Sequence, residues 1–271
     1  MKLVSVVVQA YNSEDTICKT LDSIKAQTYS NIELIISDDK SKDCTIEVAK
    51  AWMQENKDCF SAMKLITTEQ NTGIPGNNNR ALKQVTGEYV EFLAADDYML
   101  PEAVAEYVAY CEKNPKTIPV AKVHLFSEEA CDFSDVQAYC DKCYKFTGLE
   151  YKEQYRQLLM QNRVVAPAAA FYPMELMREL GGFDEAYRCF EDYPMNLKLM
   201  KHGYRFGLLD KELIGYRISG KSITGSDLTP LQKDETKLFL REKMWYMIQA
   251  GMGWEAIKQS RYWIKMALKR G

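Results

Sequence analysis

Residues 3–10, Leu-Val-Ser-Val-Val-Val-Gln-Ala, form a near-continuous apolar run. Such a run suits a strand buried on both faces, as in a parallel sheet. Tyr11-Asn12-Ser13 breaks it. Ser13 has the chemistry of a helix N-cap, and Glu14 and Asp15 complement the positive end of a helix dipole. Ile17, Leu21 and Ile24 then recur at helical spacing. Residues 32–37 predict a second buried strand, ending in Asp38-Asp39-Lys40-Ser41-Lys42-Asp43. A helix is predicted over 45–56, with Val48 and Trp52 inward. Residues 64–67 read as a weaker strand. Asn71-Thr72-Gly73-Ile74-Pro75-Gly76 reads as a loop by its punctuation. A helix over 77–85 is stopped by Gly87. Residues 89–93 alternate aromatic or apolar side chains with Glu91 and predict a strand entering a core. That strand runs into Asp96-Asp97. Pro101 opens a helix over 101–112, which Asn114-Pro115 ends.

This alternation of strand and helix predicts a parallel, doubly wound sheet. The polar breaks at Tyr11, Asp38 and Asp96 all fall at carboxyl ends of strands, the edge where ligands bind in open α/β sheets. The pattern weakens over 127–163, where no element is assigned. Residues 164–172 read as a strand, 173–180 as a short helix, Gly181-Gly182 as a sharp turn, and 191–202 as a helix stopped by Gly203. One or two short strands follow in 208–217. Residues 229–271 read as mostly helical, with interruptions at Gly251 and Gly253.

Composition narrows the classes. The chain has 271 residues, 46% hydrophobic and 27% charged, enough for a substantial core. A net charge of −3 gives no global attraction for nucleic acid. No apolar run reaches the roughly 18 residues of a membrane span. The first ten residues lack the layout of a cleavable signal, so a cytoplasmic location is expected. The eight cysteines are expected to be mostly thiols there. Cys140-Asp-Lys-Cys143 has no matching second pair, so zinc is not expected.

Several residues carry chemistry with two readings each. Asp96-Asp97 is either a seat for a hard divalent cation and a diphosphate or a solvated acidic turn before a helix. Tyr11 either stacks on a base or packs as a rim aromatic. Asp39 either accepts from a nucleoside or serves a turn.

The ordered set Tyr11-Asn12, Asp38-Asp39, Asp96-Asp97, Gly181-Gly182-Phe183-Asp184-Glu185 and Glu191-Asp192 resembles glycosyltransferase family 2. The resemblance covers roughly residues 2–224. It implies the GT-A fold, a mostly parallel Rossmann-like sheet flanked by helices. It also implies inverting transfer of a sugar from a nucleotide diphosphate, a UDP-sugar above all, with a divalent metal, Mn²⁺ or Mg²⁺. The acceptor it implies is a saccharide or lipid-linked saccharide of cell-surface polysaccharide synthesis. Residues 1–228 would be the transferase domain, with 1–112 on the nucleotide side and 113–228 on the acceptor side. Residues 229–271 would be a helical extension.

The resemblance assigns roles residue by residue. Gln9, Tyr11, Asn12, Asp38 and Asp39 would bind the nucleoside. The loop of Asn71 and Gly73 would lead to Arg80, which would meet the diphosphate, as would Arg217 and Lys221. Asp96 and Asp97 would hold the metal, and Asp192 would be the base. Gly182, Phe183 and Glu191 would shape the acceptor side. Without the resemblance, Glu191 and Asp192 read first as complements of a helix N-terminus. Two departures stand out: Ala94 replaces the first acid of the family's D-A-D-D, and Ser219 replaces a histidine. They support a rival reading, a nucleotide-sugar-binding protein without turnover. A nucleotidyltransferase would need a glycine-rich loop after the first strand, and residues 9–13 contain no glycine. The tail from Trp254 carries Lys258, Arg261, Lys265, Lys269 and Arg270 against Glu255. Two readings stay open for it: a helix on the inner membrane face, or a helix packed on the body with a solvated basic face.

Overall fold

The computed structural model describes residues 1–188, 190–219 and 230–268, with backbone alone for 230–239 and 262–268. In chain order the elements are β1 (Val4–Ala10), α1 (Ile17–Lys25), β2 (Ile32–Asp38), α2 (Thr45–Glu55), β3 (Ala62–Ile66), α3 (Gly73–Leu82) and β4 (Tyr89–Ala94). Next come β5 (Tyr98–Met99), α4 (Ala103–Lys113), β6 (Thr117–Phe126), α5 (Ser134–Thr147) and α6 (Tyr151–Met160). The chain then forms β7 (Phe171–Pro173), α7 (Met174–Glu179), α8 (Asp192–Lys201), β8 (Arg205–Arg217), α9 (Pro230–Gln249) and α10 (Gly253–Leu268). Cys189, Lys221 and the boundary expected at 228/229 lie outside the described residues.

The main sheet has the order β3-β2-β1-β4-β7, parallel except for β7, which runs antiparallel to β4. A second sheet, β5-β8-β6, stands beside it. The apolar run in β1 is explained by its central place: Val4, Val6, Val7 and Val8 are fully buried between two neighbours. Each contributes about 1.5–3 kcal/mol by leaving water.

Several expected bounds shift, for physical reasons. The first helix starts at Ile17, with the N–H groups of Thr16 and Ile17 on the Ser13 carbonyl. Ser13 and Glu14 are tied instead to the start of α2: Ser13 N–H donates to Thr45 Oγ1 and Glu14 accepts from Cys44 N–H. The stretch read as a loop at 71–76 is already helical from Gly73. Pro75 is tolerated in that first turn, where N–H groups have no partner within the helix. The unassigned stretch holds α5 and α6. The buried face of α5 is Cys140, Cys143, Phe146 and Thr147, so cysteine and threonine stand where aliphatic side chains would have signalled a helix. Of 164–172 only Phe171 and Tyr172 are strand; a 3₁₀ turn around Pro167 precedes them. Residues 205–217 form one long strand rather than short ones. Among the described residues of the tail, the two helices break at 250–252, as expected at Gly251, whereas Gly253, the other expected interruption, is the first residue of α10.

Two buried glutamates of the main sheet contrast. Burial alone would raise the Glu33 carboxyl, but hydrogen bonds from Lys64, Ser5 and Thr86 hold it below its ordinary value. Glu91, fully buried on β4 beside Tyr107, Cys111 and Tyr172, has neither oxygen hydrogen-bonded. Burial pushes its carboxyl well above the usual range. The folded chain keeps that proton while the unfolded chain releases it near pH 4, so Glu91 removes stability as pH rises above that point. Glu91→Gln should therefore gain on the parent with pH, by up to about 1.4 kcal/mol per unit until the folded group ionises. Urea unfolding at pH 5 and pH 7 checks this; an equal difference at both would refute it.

Candidate active site

The strand register brings the polar breaks together. Ala10 of β1 pairs with Asp38 of β2, and Gln9 pairs with Ala94 of β4. Backbone bonds extend the match beyond the strands: Asp39 N–H donates to Ala10 O at 2.9 Å and Ala95 N–H to Gln9 O at 3.0 Å. Tyr11, Asp39 and Asp96 thus rise from one rim, as their strand-end positions implied.

At this rim Tyr11 is 45% exposed, an open aromatic face. Asn12 takes a left-handed conformation (φ 51°), which asparagine tolerates better than most residues. Its N–H donates to Ser41 Oγ, and its Oδ1 accepts from Lys42 N–H, both at 2.8 Å. Asp38 is buried and accepts from the N–H and hydroxyl of Ser41. Asn12 therefore laces the two rim loops together and Asp38 ties up its own loop; both stand at the rim as expected, but these polar atoms are already engaged.

The expected division of labour between Asp39 and Arg80 changes. Asp39 is buried and accepts from Thr72 N–H (3.0 Å), Thr72 Oγ1 (2.7 Å), Gly73 N–H (2.8 Å) and Arg80 Nη2 (3.0 Å). It acts as the N-terminal cap of α3, supplied from the end of β2. Arg80, expected at the diphosphate, is folded back on Asp39, Thr72 and Asn77. The physical reason is that a buried carboxylate without a counter-charge is costly. The loop itself is held by Asn71, whose Nδ2 donates to Asp39 O at 3.1 Å. Arg188 Nη2 donates back to Asn71 O at 2.7 Å and Oδ1 at 2.9 Å. Gly73 (φ 78°) is required here, because a Cβ would lie 2.3 Å from Arg188 O.

Three successive asparagines of α3 reach three different partners. Asn77 bonds Ser37 of β2, Asn78 accepts from Gln9 of β1 at 2.8 Å, and Asn79 holds the Gly-Gly turn. Asn79 Oδ1 accepts from Phe183 N–H at 2.8 Å, and its Nδ2 donates to Phe183 O at 2.9 Å and to Glu185 at 2.8 Å. Gly182 (φ 74°) lies so close that a Cβ would meet Asn79 Oδ1 at 2.4 Å. Phe183 is buried, edge-to-face on Phe92 at 5.1 Å. Gly182 and Phe183, expected to shape the acceptor side, are both buried and hold the Gly-Gly turn against α3. Gly182→Ala should cost about 1–2 kcal/mol from the left-handed backbone alone, with the clash added, read as a lowered midpoint of urea unfolding.

The acid pair is bound to the second sheet. Tyr98 pairs with Gly215, and Arg217 N–H donates to Asp97 Oδ1 at 2.8 Å. This sets the end of β8, and the segment leading to Ser219, against the acids. The Arg217 guanidinium ion-pairs with Glu128 at 2.6 Å. Asp97 is buried, and burial together with the charge of Asp96 pushes its carboxyl up to about 8. The Asp96 carboxyl is also raised by burial, with the Arg217 charge and its own backbone N–H opposing. Two adjoining carboxyls that resist ionising together are what a hard divalent cation would stabilise in charged form. The donor set of oxygens fits such an ion. Among the described residues no group of three or more His, Cys, Asp or Glu is gathered, so water and phosphate oxygens would complete its shell.

Asp192 opens α8, with Glu191 half-buried at the N-cap position. Asn162 Nδ2 donates to Asp192 Oδ2 at 2.8 Å, and Asn162 Oδ1 is itself held by Val164 N–H at 3.3 Å and Asn196 at 3.4 Å. Burial raises the Asp192 carboxyl, while the bonds from Tyr193 N–H and Asn162 oppose the rise. Sequence reasoning missed Asn162, Thr72 and Glu128. The Asn77-Asn78-Asn79 run was a visible signal, of which only the adjacent Arg80 was used.

With this geometry in hand, comparisons with known proteins agree. The sequence model described as "Glycosyl transferase family 2" matches residues 5–181. A "UDP-Glc:alpha-D-GlcNAc-diphosphoundecaprenol beta-1,3-glucosyltransferase WfaP" of Escherichia coli is 34% identical over 149 residues, 55% of this chain and 51% of that protein. The chain thus spans about half of that relative's length. An uncharacterized glycosyltransferase of Haemophilus influenzae is 27% identical over 258 residues, 91% of this chain and 74% of that one. Among solved structures, S. aureus TarS in complex with UDP-GlcNAc superposes with a TM-score of 0.66 at 20% identity, covering 89% of this chain and 65% of that one. The mannosyltransferase PcManGT from Pyrobaculum calidifontis, in complex with GDP-Man and Mn²⁺, gives 0.62 at 19% identity, covering 98% and 81%. The two-sheet architecture is the GT-A fold that these glycosyltransferase structures share. The chain belongs to glycosyl transferase family 2.

Proposed function

We propose that this chain is an inverting, metal-dependent glycosyltransferase that takes a sugar from a UDP-sugar and passes it to a saccharide or lipid-linked saccharide in cell-surface polysaccharide synthesis. The observation that carries the reading is the strand register, which sets Tyr11, Asp39 and the Asp96–Asp97 pair on one rim. Relatives and neighbours named for UDP-Glc and UDP-GlcNAc support the uridine donor; the GDP-Man complex of PcManGT makes GDP-sugars the competing choice.

In this reading Tyr11 stacks on the base, and Asp39, with its α3 cap, forms the nucleoside floor. Gln9, Asn12, Asp38, Asn71, Gly73 and Arg80 hold that floor in shape. Asp96 and Asp97 would hold Mn²⁺ or Mg²⁺, which supplies Lewis-acid neutralisation of the leaving diphosphate. Arg217 adds positive charge beside them. Asp192 takes the proton of the acceptor hydroxyl as its oxygen bonds to the anomeric carbon. The bond from that carbon to the diphosphate breaks, and its electron pair leaves with the diphosphate. Glu191 borders the acceptor.

Calorimetric titration with UDP, GDP and CDP, each with and without Mn²⁺, tests this. Mn²⁺-dependent binding of UDP above the others is expected. Preference for GDP or CDP overturns the donor, and no binding at all overturns the transferase reading. The binding-only alternative, favoured by Ala94 and Ser219, is separated by turnover: a transferase releases UDP from a UDP-sugar, and a binding protein does not.

A further inference from the structure

Four large apolar side chains stand out into solvent on the last two helices: Trp245 (60% exposed), Ile248 (52%), Trp254 (60%) and Ile257 (46%). The first pair lies three residues apart on α9 and the second pair three apart on α10, so each pair shares one helix face. The inward side is separately satisfied. Met247, Met252 and Ala256 are buried, and Lys243 reaches the Met160 carbonyl of α6 at 3.3 Å. The exposed pairs are therefore surplus to packing on the body.

The charges around them are one-sided. Arg241 is exposed one turn before Trp245, Lys258 lies 5.6 Å from the Trp254 ring, and Arg261 is exposed one turn after Ile257. Between Arg241 and Arg261 the acids are Glu242 and Glu255, and both are turned to the body; the other two acids of the hairpin, Asp234 and Glu235, stand in the first turns of α9, away from the exposed pairs along the chain. Tyr187 Oη donates to Glu242 at 3.0 Å, and Arg156 pairs with Glu255 at 3.7 Å. Beyond Arg261 the sequence adds Lys265, Lys269 and Arg270 and no acid. A basic, aromatic-bearing hairpin is thus displayed on a chain of net charge −3. A two-fold contact with a second copy would set these bases against one another.

We propose that the α9–α10 hairpin is a docking surface for an anionic lipid bilayer. Trp245, Ile248, Trp254 and Ile257 enter the headgroup boundary, and Arg241, Lys258 and Arg261 meet the lipid phosphates. No helix among the described residues is long and apolar enough to cross a membrane, and the proposed contact is with the surface. It does not depend on the donor or the metal.

The test is co-sedimentation of the full chain with phosphatidylcholine vesicles, with and without phosphatidylglycerol, in the absence of nucleotide. Binding is expected only with phosphatidylglycerol, weakening with salt, with a blue shift in tryptophan emission. The double variant Lys258→Glu, Arg261→Glu should bind at least about 25-fold more weakly, at about five-fold per base. Trp254→Ser with Ile257→Ser should lose the blue shift and most of the binding. Unchanged melting temperatures show that these surface variants are folded. Absence of binding, equal binding to neutral vesicles, variants that bind like the parent, or self-association that shields the tryptophans instead would each overturn the proposal.

Discussion

Asp192→Asn should lower kcat by about 10²–10⁴-fold, the usual contribution of a positioned base, while nucleotide binding stays unchanged. Asparagine fills the same space and can keep a bond to Asn162, but it cannot take a proton. The proposed nucleotide contacts lie at the sheet rim, on other elements, so binding is spared. The pH profile carries a second readout. Asp192 works as a base only when ionised, so activity should rise with pH through its pKa, which burial has raised. Asn162 favours the charged form through its 2.8 Å bond. Asn162→Ala should raise that pKa and move the activity rise to higher pH, with less loss at alkaline pH than at neutral. A kcat of Asp192→Asn equal to the parent would remove Asp192 from the chemistry.

Asp96→Asn should abolish the Mn²⁺-dependent part of UDP binding and lower turnover by about 10²–10³-fold, the equivalent of several kcal/mol of Lewis-acid stabilisation. The acid pair also predicts a stability signature. Asp97 keeps its proton in the fold up to about pH 8 and releases it near pH 4 when unfolded. Between those values the folded chain binds more protons, so without metal its stability falls as pH rises. A divalent cation binds the ionised pair, so Mn²⁺ should raise the melting temperature more at pH 8 than at pH 5. Asp97→Asn should flatten both trends. Equal Mn²⁺ effects at the two pH values, or none in the parent chain, would show that the pair is not a cation seat.

The rim was legible because its signals are local. The apolar runs of β1 and β2 and the pattern of β4 declare buried strands, and the acids stand directly at their ends. Gly181-Gly182 announced its turn, since positive φ selects glycine. The order of these groups along the chain carried the family. What lay hidden has long sequence separation. Arg80 and Asp39 are 41 residues apart, Asn162 and Asp192 are 30, and Asn79 and Phe183 are 104. Nothing in the immediate surroundings of Arg80 tells whether a phosphate or a carboxylate will meet it. Glu91 looked like the polar member of an alternating strand, yet β4 is covered on both faces. The helices α5 and α6 escaped notice because their inward positions are filled by cysteine, threonine and glutamine as well as aliphatic groups.

By itself, then, the sequence determined the strand–helix alternation, the carboxylates at the strand ends, the turn glycines and the two-helix tail, because periodicity and backbone preference act within a few residues. Tertiary structure alone decided that Asp39 caps α3 and pairs with Arg80, that Phe183 packs inside, that Asn162 aims Asp192, and that Asp97 is buried beside Asp96. Those outcomes depend on which charges and dipoles the fold brings within about 3 Å in a region shielded from water, where partners decide whether a polar group is stabilised or destabilised.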